Sequence, residues 1–384
     1  MVSRFSMTNA YHMVLNCFKI FWFGFFASIA AAATAWHIET VAGSGGKLDT
    51  GAAGHALAVN IGQPFGVEFG PDGSMFVCEV ENHRVWRIDL KTQLAQVVAG
   101  NGEEGYSGDG GPAIAAAMNE PYEIRFDQPG NMYVVEMMNH LVRRVDAETG
   151  IIQTIAGGHG RGFAGDGGPA LAAKLNRPHS IAIDESKQQI YIADIGNHRI
   201  RRVDMTTGII ETVVGTGEAQ QPSNGSIARG NAIAGPRALF ITPHDRTLWI
   251  GLREGHSVWR LNLDTELIHH VAGSGASGWN ENVQSVSASA AVFNGPKGIA
   301  VDALGRVLLV DTENQAIRLI DLKNQTVTTI AGWGPENRGF GGDGGPGYSA
   351  DTRLDRPHGI GVGPDGNAYI GDTNNHRVRR VSME

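Results

Sequence analysis

Six side chains stand directly after a proline that recurs along the chain: Phe65, Tyr122, His179, Arg237, Lys297 and His358, behind Pro64, Pro121, Pro178, Pro236, Pro296 and Pro357. The prolines lie 57, 57, 58, 60 and 61 residues apart, so a repeat fixes the position while its occupant changes. A residue that returns in every copy serves the copy, whereas one that varies at a fixed place is free to serve a ligand. Two imidazoles, a phenol and two cations around an apolar mouth suit a small anion or a carboxylate. The alternative is a solvated rim on which nothing depends.

The elements that position these residues are legible in the copy that runs from Pro178 to Gly215. It holds four short runs rich in Val, Ile and Tyr, among them Ile190-Tyr191-Ile192-Ala193-Asp194 and Ile209-Ile210-Glu211-Thr212-Val213-Val214, parted by Gly, Asp, Asn and Thr turns. Such runs predict four antiparallel strands. One copy cannot bury its own faces and six stacked copies can, which predicts an all-β, six-bladed β-propeller of four-stranded antiparallel blades. Each of the six residues then begins an innermost strand and borders one mouth of the central channel. By blade number His179 lies across from His358, Tyr122 from Lys297 and Phe65 from Arg237.

Composition fits this plan. Glycine at 53 residues suits many tight turns, and 42% hydrophobic content excludes disorder. The six copies take up nearly all of the 384 residues, so residues 36–384 read as one propeller domain. Residues 1–35 stand apart, with Arg4 and Lys19 ahead of an uncharged apolar run over 20–32 and an Ala33-Thr34-Ala35 site before Trp36. That pattern predicts a cleaved secretory signal, and hence an extracytoplasmic (secreted or periplasmic) protein with no membrane attachment after cleavage; an uncleaved anchor is the alternative. Formal net charge is -8, and removing Arg4 and Lys19 from the 31 basic residues leaves 29 against 39 acids, or -10. So acidic a domain lacks the electrostatic footprint of a nucleic-acid binder. With Cys17 in the leader, Cys78 is left alone in a strand run and is expected as a buried thiol.

Ring closure is also predicted. Five copies end in runs such as Thr154-Ile155-Ala156-Gly157, but the sixth stops at Val381 without one, and Thr40-Val41-Ala42-Gly43 supplies it from the N-terminus. Between blades, Gly108-Asp109-Gly110-Gly111-Pro112, Gly165-Asp166-Gly167-Gly168-Pro169 and Gly342-Asp343-Gly344-Gly345-Pro346 lack the lysine of a phosphate loop and the acids of a calcium loop. They read as tight turns in which the aspartate accepts backbone amides.

The second-to-third junctions include Glu81-Asn82-His83-Arg84, Asn139-His140-Leu141, Gly196-Asn197-His198-Arg199 and Asn374-Asn375-His376-Arg377. Asn139-His140-Leu141 spells the tripeptide of the NHL repeat family, and the chain after residue 36 resembles that family throughout. The resemblance implies the six-bladed fold. Its functions are mixed, including secreted lyases, lactonase-like relatives, receptor ectodomains and protein- or RNA-binding modules.

His83, His140, His198, His256 and His376 recur at one place in the blades, with Gln315 there in the fifth, and acids stand four positions earlier at Glu79, Glu136, Asp194, Asp311 and Asp372, with Leu252 there in the fourth. With the arginine that follows, they suit a hydrogen-bond set pinning each second-to-third hairpin. The amidating lyases among the family's relatives hold zinc with three histidines at a channel mouth. The contexts Arg177-Pro178-His179 and Arg356-Pro357-His358 look similar, which makes His179 and His358 candidate ligands for Zn or Ca, but a third equivalent histidine is missing. Glu123 or Glu136 would have to complete the set. No Gly-x-Ser-x-Gly elbow supports a serine hydrolase. The sequence therefore predicts a secreted module binding a protein or a small, anionic ligand at Phe65, Tyr122, His179, Arg237, Lys297 and His358, with a metal-dependent lyase or lactonase-like hydrolase as the alternative.

Overall fold

A computed structural model describes residues 36–383 apart from Leu48, Pro243 and Asn282; the proposed leader, with Cys17, lies outside the described residues. The Val- and Ile-rich runs form six antiparallel sheets arranged as blades. In the third, strands run from the axis outward as Pro178–Asp184, Gln189–Asp194, Arg199–Asp204 and Ile209–Val214, with Ala182 opposite Tyr191, Tyr191 opposite Arg202 and Arg202 opposite Glu211. Second strands such as Met132–Glu136 and Val307–Asp311 are buried along their whole length, because each blade has a neighbour on both faces. The core is correspondingly divided among the blade junctions. Phe76 and Val85 of blade 1 pack with Ile124 and Val134 of blade 2, and Trp86 and Ile88 pack with Tyr369 and Val378 of blade 6.

The sixth blade closes as expected. Trp36–Ala42 pairs antiparallel with Arg377–Met383, Ile38 opposite Val381, and so forms its fourth strand. The expected strand count is corrected. In five sheets the between-blade loop adds a fifth, outermost strand of two or three residues, such as Ala53–His55 or Gly168–Pro169, and only the sheet of blade 2 keeps four. That addition covers the exposed edge of each fourth strand.

The glycine-aspartate loops are corrected as well. Asp109, Asp166 and Asp343 chiefly receive an arginine rather than backbone amides: Arg143, Arg201 and Arg379 reach them at 2.6 Å each. The same buried arginines contact Glu136, Asp194 and Asp372 on the second strand, so one guanidinium ties loop to blade. Blade 1 has Trp86 in place of that arginine, and its indole N–H donates to Glu79 at 2.6 Å. Cys78 is a buried free thiol.

The repeated histidines do not join the acids of their own hairpin. Each histidine Nδ1 accepts the backbone N–H of the residue just before the next blade's proline. His83 takes Glu120 at 3.2 Å, His140 takes Arg177 at 3.1 Å, His198 takes Gly235 at 3.2 Å and His256 takes Gly295 at 3.1 Å. His376 takes Gln63 at 3.1 Å and so joins the last blade to the first. In blade 5 the carboxamide oxygen of Gln315 accepts from Arg356 at 2.6 Å. The donor residues have φ between 48° and 60°, a backbone conformation that turns their N–H away from the sheet and toward the preceding blade.

Removing residues 36–42 deletes the closing strand and exposes two edges, so urea denaturation should show loss of the cooperative transition, whereas trimming seven residues from a surface loop should leave it. His140→Ala orphans a backbone donor and should cost about 1–3 kcal/mol, while His140→Gln, which reproduces the Gln315 clasp, should cost less than half of that, both read from the denaturation midpoint. The pH dependence has a definite sign. An Nδ1 acceptor must be neutral, and burial first of all holds His83, His140, His256 and His376 below the usual histidine pKa. The unfolded chain therefore binds more protons once pH falls below about 6.5, and stability should decline from there downward.

Candidate functional site

The geometry of the inner strands explains why one position per blade faces the channel. In four blades the pairing between first and second strands skips the residue after the proline: register shifts between Pro178 and Ser180, Pro236 and Ala238, Pro296 and Gly298, and Pro121 and Glu123. A bulge re-aims the side chain of the extra residue. Here those residues are His179, Arg237, Lys297 and Tyr122, and they turn to the channel mouth together with Phe65 and His358.

All six line one cavity of about 480 Å³. Contact runs from blade to blade. The Phe65 ring stacks on His358 at 4.0 Å and meets Tyr122 at 4.4 Å, and Tyr122 sits edge-on to His179 at 4.5 Å. Lys297 Nζ is 3.4 Å from His358 Nε2, and the Arg237 guanidinium leans over Tyr122 at 4.4 Å. Positions read as lying across the axis are thus drawn into one contiguous surface. Below it Arg125 bridges the channel, donating to the carbonyl of Leu239 at 3.1 Å and pairing with Glu68 at 3.1 Å and with Glu123. The mouth is a basin with a floor.

Its electrostatics oppose those of the protein as a whole. Arg161, Arg177, Arg237, Arg253, Lys297 and Arg356 line it, and Glu254 is the one lining carboxylate among the described residues. Arg237 is 3% exposed, yet its guanidinium has neither an ion pair nor a hydrogen-bond acceptor among the described residues. Burial of an unpaired cation is strongly unfavourable, and native proteins supply a partner where they can. Lys297 is paired with Glu313 at 2.8 Å, which also holds Arg356 at 3.0 Å. Burial, then the charge of Arg237, draws the Lys297 amine down to about 7. Burial likewise holds both imidazoles well below their ordinary range, with Arg237 adding to the effect at His179 and Lys297 at His358. The histidines are therefore neutral, and each fixes its tautomer by donating Nδ1–H to a carbonyl: His179 to Arg177 at 2.6 Å, His358 to Arg356 at 2.7 Å.

That leaves each Nε2 as an acceptor, which is how a metal ligand is prepared. The rest of the set does not fit a cation. Glu123 lies against Arg125, Glu136 is committed to Arg143 and Asn139, and neither lines the mouth with the histidines. Lys297 already addresses His358 Nε2, and among the described residues no three His, Cys, Asp or Glu side chains are grouped to hold an ion. Arg253, Arg356 and Glu313 were not singled out in the sequence. Arg253 and Glu313 stand one and two residues past the second-strand acid position, where occupants also change from blade to blade, and the same criterion of variation at a fixed place finds them.

Residues 160–382 match the model of the Teneurin NHL domain. The chain belongs to the NHL repeat family. Among curated relatives, this NHL propeller is 27% identical over 293 residues to Protein SUPPRESSOR OF QUENCHING 1, chloroplastic, of Arabidopsis thaliana, covering 74% of this chain and 27% of that protein. It is 25% identical over 321 residues to NHL repeat-containing protein 2 of Homo sapiens, covering 75% and 43%. It thus spans less than half the length of either. Among solved structures it resembles an auxiliary nutrient binding protein from Bacteroides thetaiotaomicron (TM-score 0.65, 16% identity, 91% of this chain and 77% of that one). It also resembles a streptogramin B lyase (TM-score 0.53, 12% identity, 91% and 98%). At such identities the likeness is one of fold.

If Arg237 is held unpaired for a ligand, the empty protein bears the strain. Arg237→Met should raise stability by about 1 kcal/mol, seen as a higher thermal midpoint, the removed charge outweighing the lost stacking on Tyr122.

Proposed function

We propose that the protein is an extracytoplasmic binding module whose channel mouth takes the anionic end of a small molecule or of a protein ligand. One observation carries this: among the described residues the buried Arg237 guanidinium has no ion pair or hydrogen-bond acceptor, and it opens onto a cavity whose described wall holds six cations and one carboxylate. A carboxylate or phosphate entering there meets donors already in place. Phe65 and Tyr122 supply an apolar floor beside the charge, as ligand pockets commonly do. A protein of the same fold is described as nutrient binding, which is the class of role proposed. The extracytoplasmic setting rests on the apolar run over 20–32 and the small-residue site before Trp36.

The rival reading, a metal-dependent lyase or lactonase, draws on the paired Nε2 acceptors of His179 and His358. Elemental analysis after purification without chelators decides it: stoichiometric zinc or calcium that disappears in a His179→Ala, His358→Ala double variant would place the enzyme first.

Calorimetric titration with lactate and with inorganic phosphate tests the anion site. Saturable binding is expected, weakened about tenfold or more in Arg237→Met, the loss of a charged hydrogen bond of ~1.5–3 kcal/mol. Equal binding in both proteins would overturn the proposal. An anion favours the ammonium form of Lys297, whose amine titrates at about 7. Affinity should therefore be highest below that pH and fall as pH rises through it.

A further inference from the structure

Lys297 is the second group at the mouth whose surroundings do not suit its charge. It is 5% exposed, and one carboxylate, Glu313, answers both it and Arg356 while the unpaired Arg237 stands nearby. With the amine drawn down to about 7, a large fraction is unprotonated near neutrality. An unprotonated amine facing a cavity is a nucleophile, and desolvation beside other cations is how lysines are made so. A proton carrier is in place. The Nδ1–H of His358 is committed to the Arg356 carbonyl and to the Thr373 hydroxyl, which leaves the Nε2 lone pair directed at Nζ, 3.4 Å away. Arg237 occupies the equivalent bulge of the adjacent blade, so an anion held by it lies beside the amine.

We propose that Lys297 captures the carbonyl carbon of a small 2-oxo acid as an imine while Arg237 holds the acid's carboxylate. This rests on the anion-binding reading of the mouth. The ammonium first gives one proton to His358 Nε2. The nitrogen lone pair then forms the C–N bond as the carbonyl π pair moves to oxygen, and a second nitrogen proton passes to that oxygen. The proton held on His358 returns to the hydroxyl and releases it as water while the nitrogen lone pair forms the C=N bond, which leaves a protonated imine. Ammonium plus ketone thus give iminium plus water, with no oxidant or reductant. A 2-oxo acid suits the site because its carboxylate adjoins the reacting carbon, and the Phe65 and Tyr122 rings can receive a short apolar tail.

The test is incubation of the full chain with pyruvate and cyanoborohydride, read by intact mass and peptide mapping. One reduced adduct per chain is expected, on Lys297, lost in Lys297→Arg, which keeps the charge, and much reduced in Arg237→Met. Excess lactate, which has the carboxylate but no ketone, should protect Lys297 in the unmodified protein, so the result does not depend on variants folding. Labelling should increase as pH rises through about 7, opposite to the trend for lactate binding. Label spread evenly over Lys47, Lys91 and Lys174, or unchanged in Lys297→Arg, would overturn the proposal. Lactate binding without any adduct would overturn imine formation and leave the anion site standing; neither binding nor adduct would overturn both.

Discussion

One hydrogen bond, repeated around the ring, governs both the assembly of the blades and the aim of the residues at the channel mouth. The backbone N–H just ahead of each inner-strand proline is accepted by a side chain of the preceding blade, His Nδ1 in five cases and the Gln315 oxygen in the sixth. The donors include Gln63, Glu120, Arg177 and Arg356, side chains that resist a positive φ, and the bond compensates a conformation costing about 1 kcal/mol or more. That conformation, followed by proline, sets up the bulge that sends the next side chain inward. A neutral acceptor between blades is thus upstream of every contact in the basin. The substitution of glutamine in blade 5 shows that the requirement is for an acceptor of the right reach, not for imidazole chemistry.

The basin places its charges against the interest of the fold. Two buried arginines of the blades show the structural use of such a group: Arg143 and Arg379 each touch a second-strand acid, a loop aspartate and backbone carbonyls. Arg237, also buried, has no ion pair or hydrogen-bond acceptor among the described residues; it leans on the face of Tyr122 and feels Glu123 and Glu254 only through their charge. The contrast separates a cation that holds structure together from one that waits for something to hold. Lys297 falls between the two, since its partner Glu313 is divided with Arg356.

Much of this was legible in the sequence. The proline period gave the blade count, and the missing terminal run of the sixth copy gave the closure by Trp36–Ala42. The six post-proline residues were assigned to one mouth and do share one cavity. What remained hidden was the third dimension of each repeat. Spacing along the chain places His140 four residues after Glu136, but it does not reveal that the imidazole faces Arg177 of the next blade while the acid turns to Arg143. The aspartate of each glycine-rich loop was likewise read against its own backbone, since its arginine partner lies 34 to 36 residues away. The departures in blades 1 and 4, where Trp86 and Trp259 stand at the arginine position, become intelligible only once the donor role is known: Trp86 gives its indole N–H to the acid and Trp259 to Ser257.

The blade shared by Trp36–Ala42 and Arg377–Met383 has a consequence for synthesis. Strand Trp36–Ala42 emerges early and has no partner until Arg377–Met383 follows more than 300 residues later. Until then Trp36–Ala42 must be kept from pairing with a foreign edge, and the sixth blade is the last of the six to be finished. A chain interrupted anywhere before Arg377 has no seat for its own beginning. The ring therefore locks only once the strand Arg377–Met383 has been made.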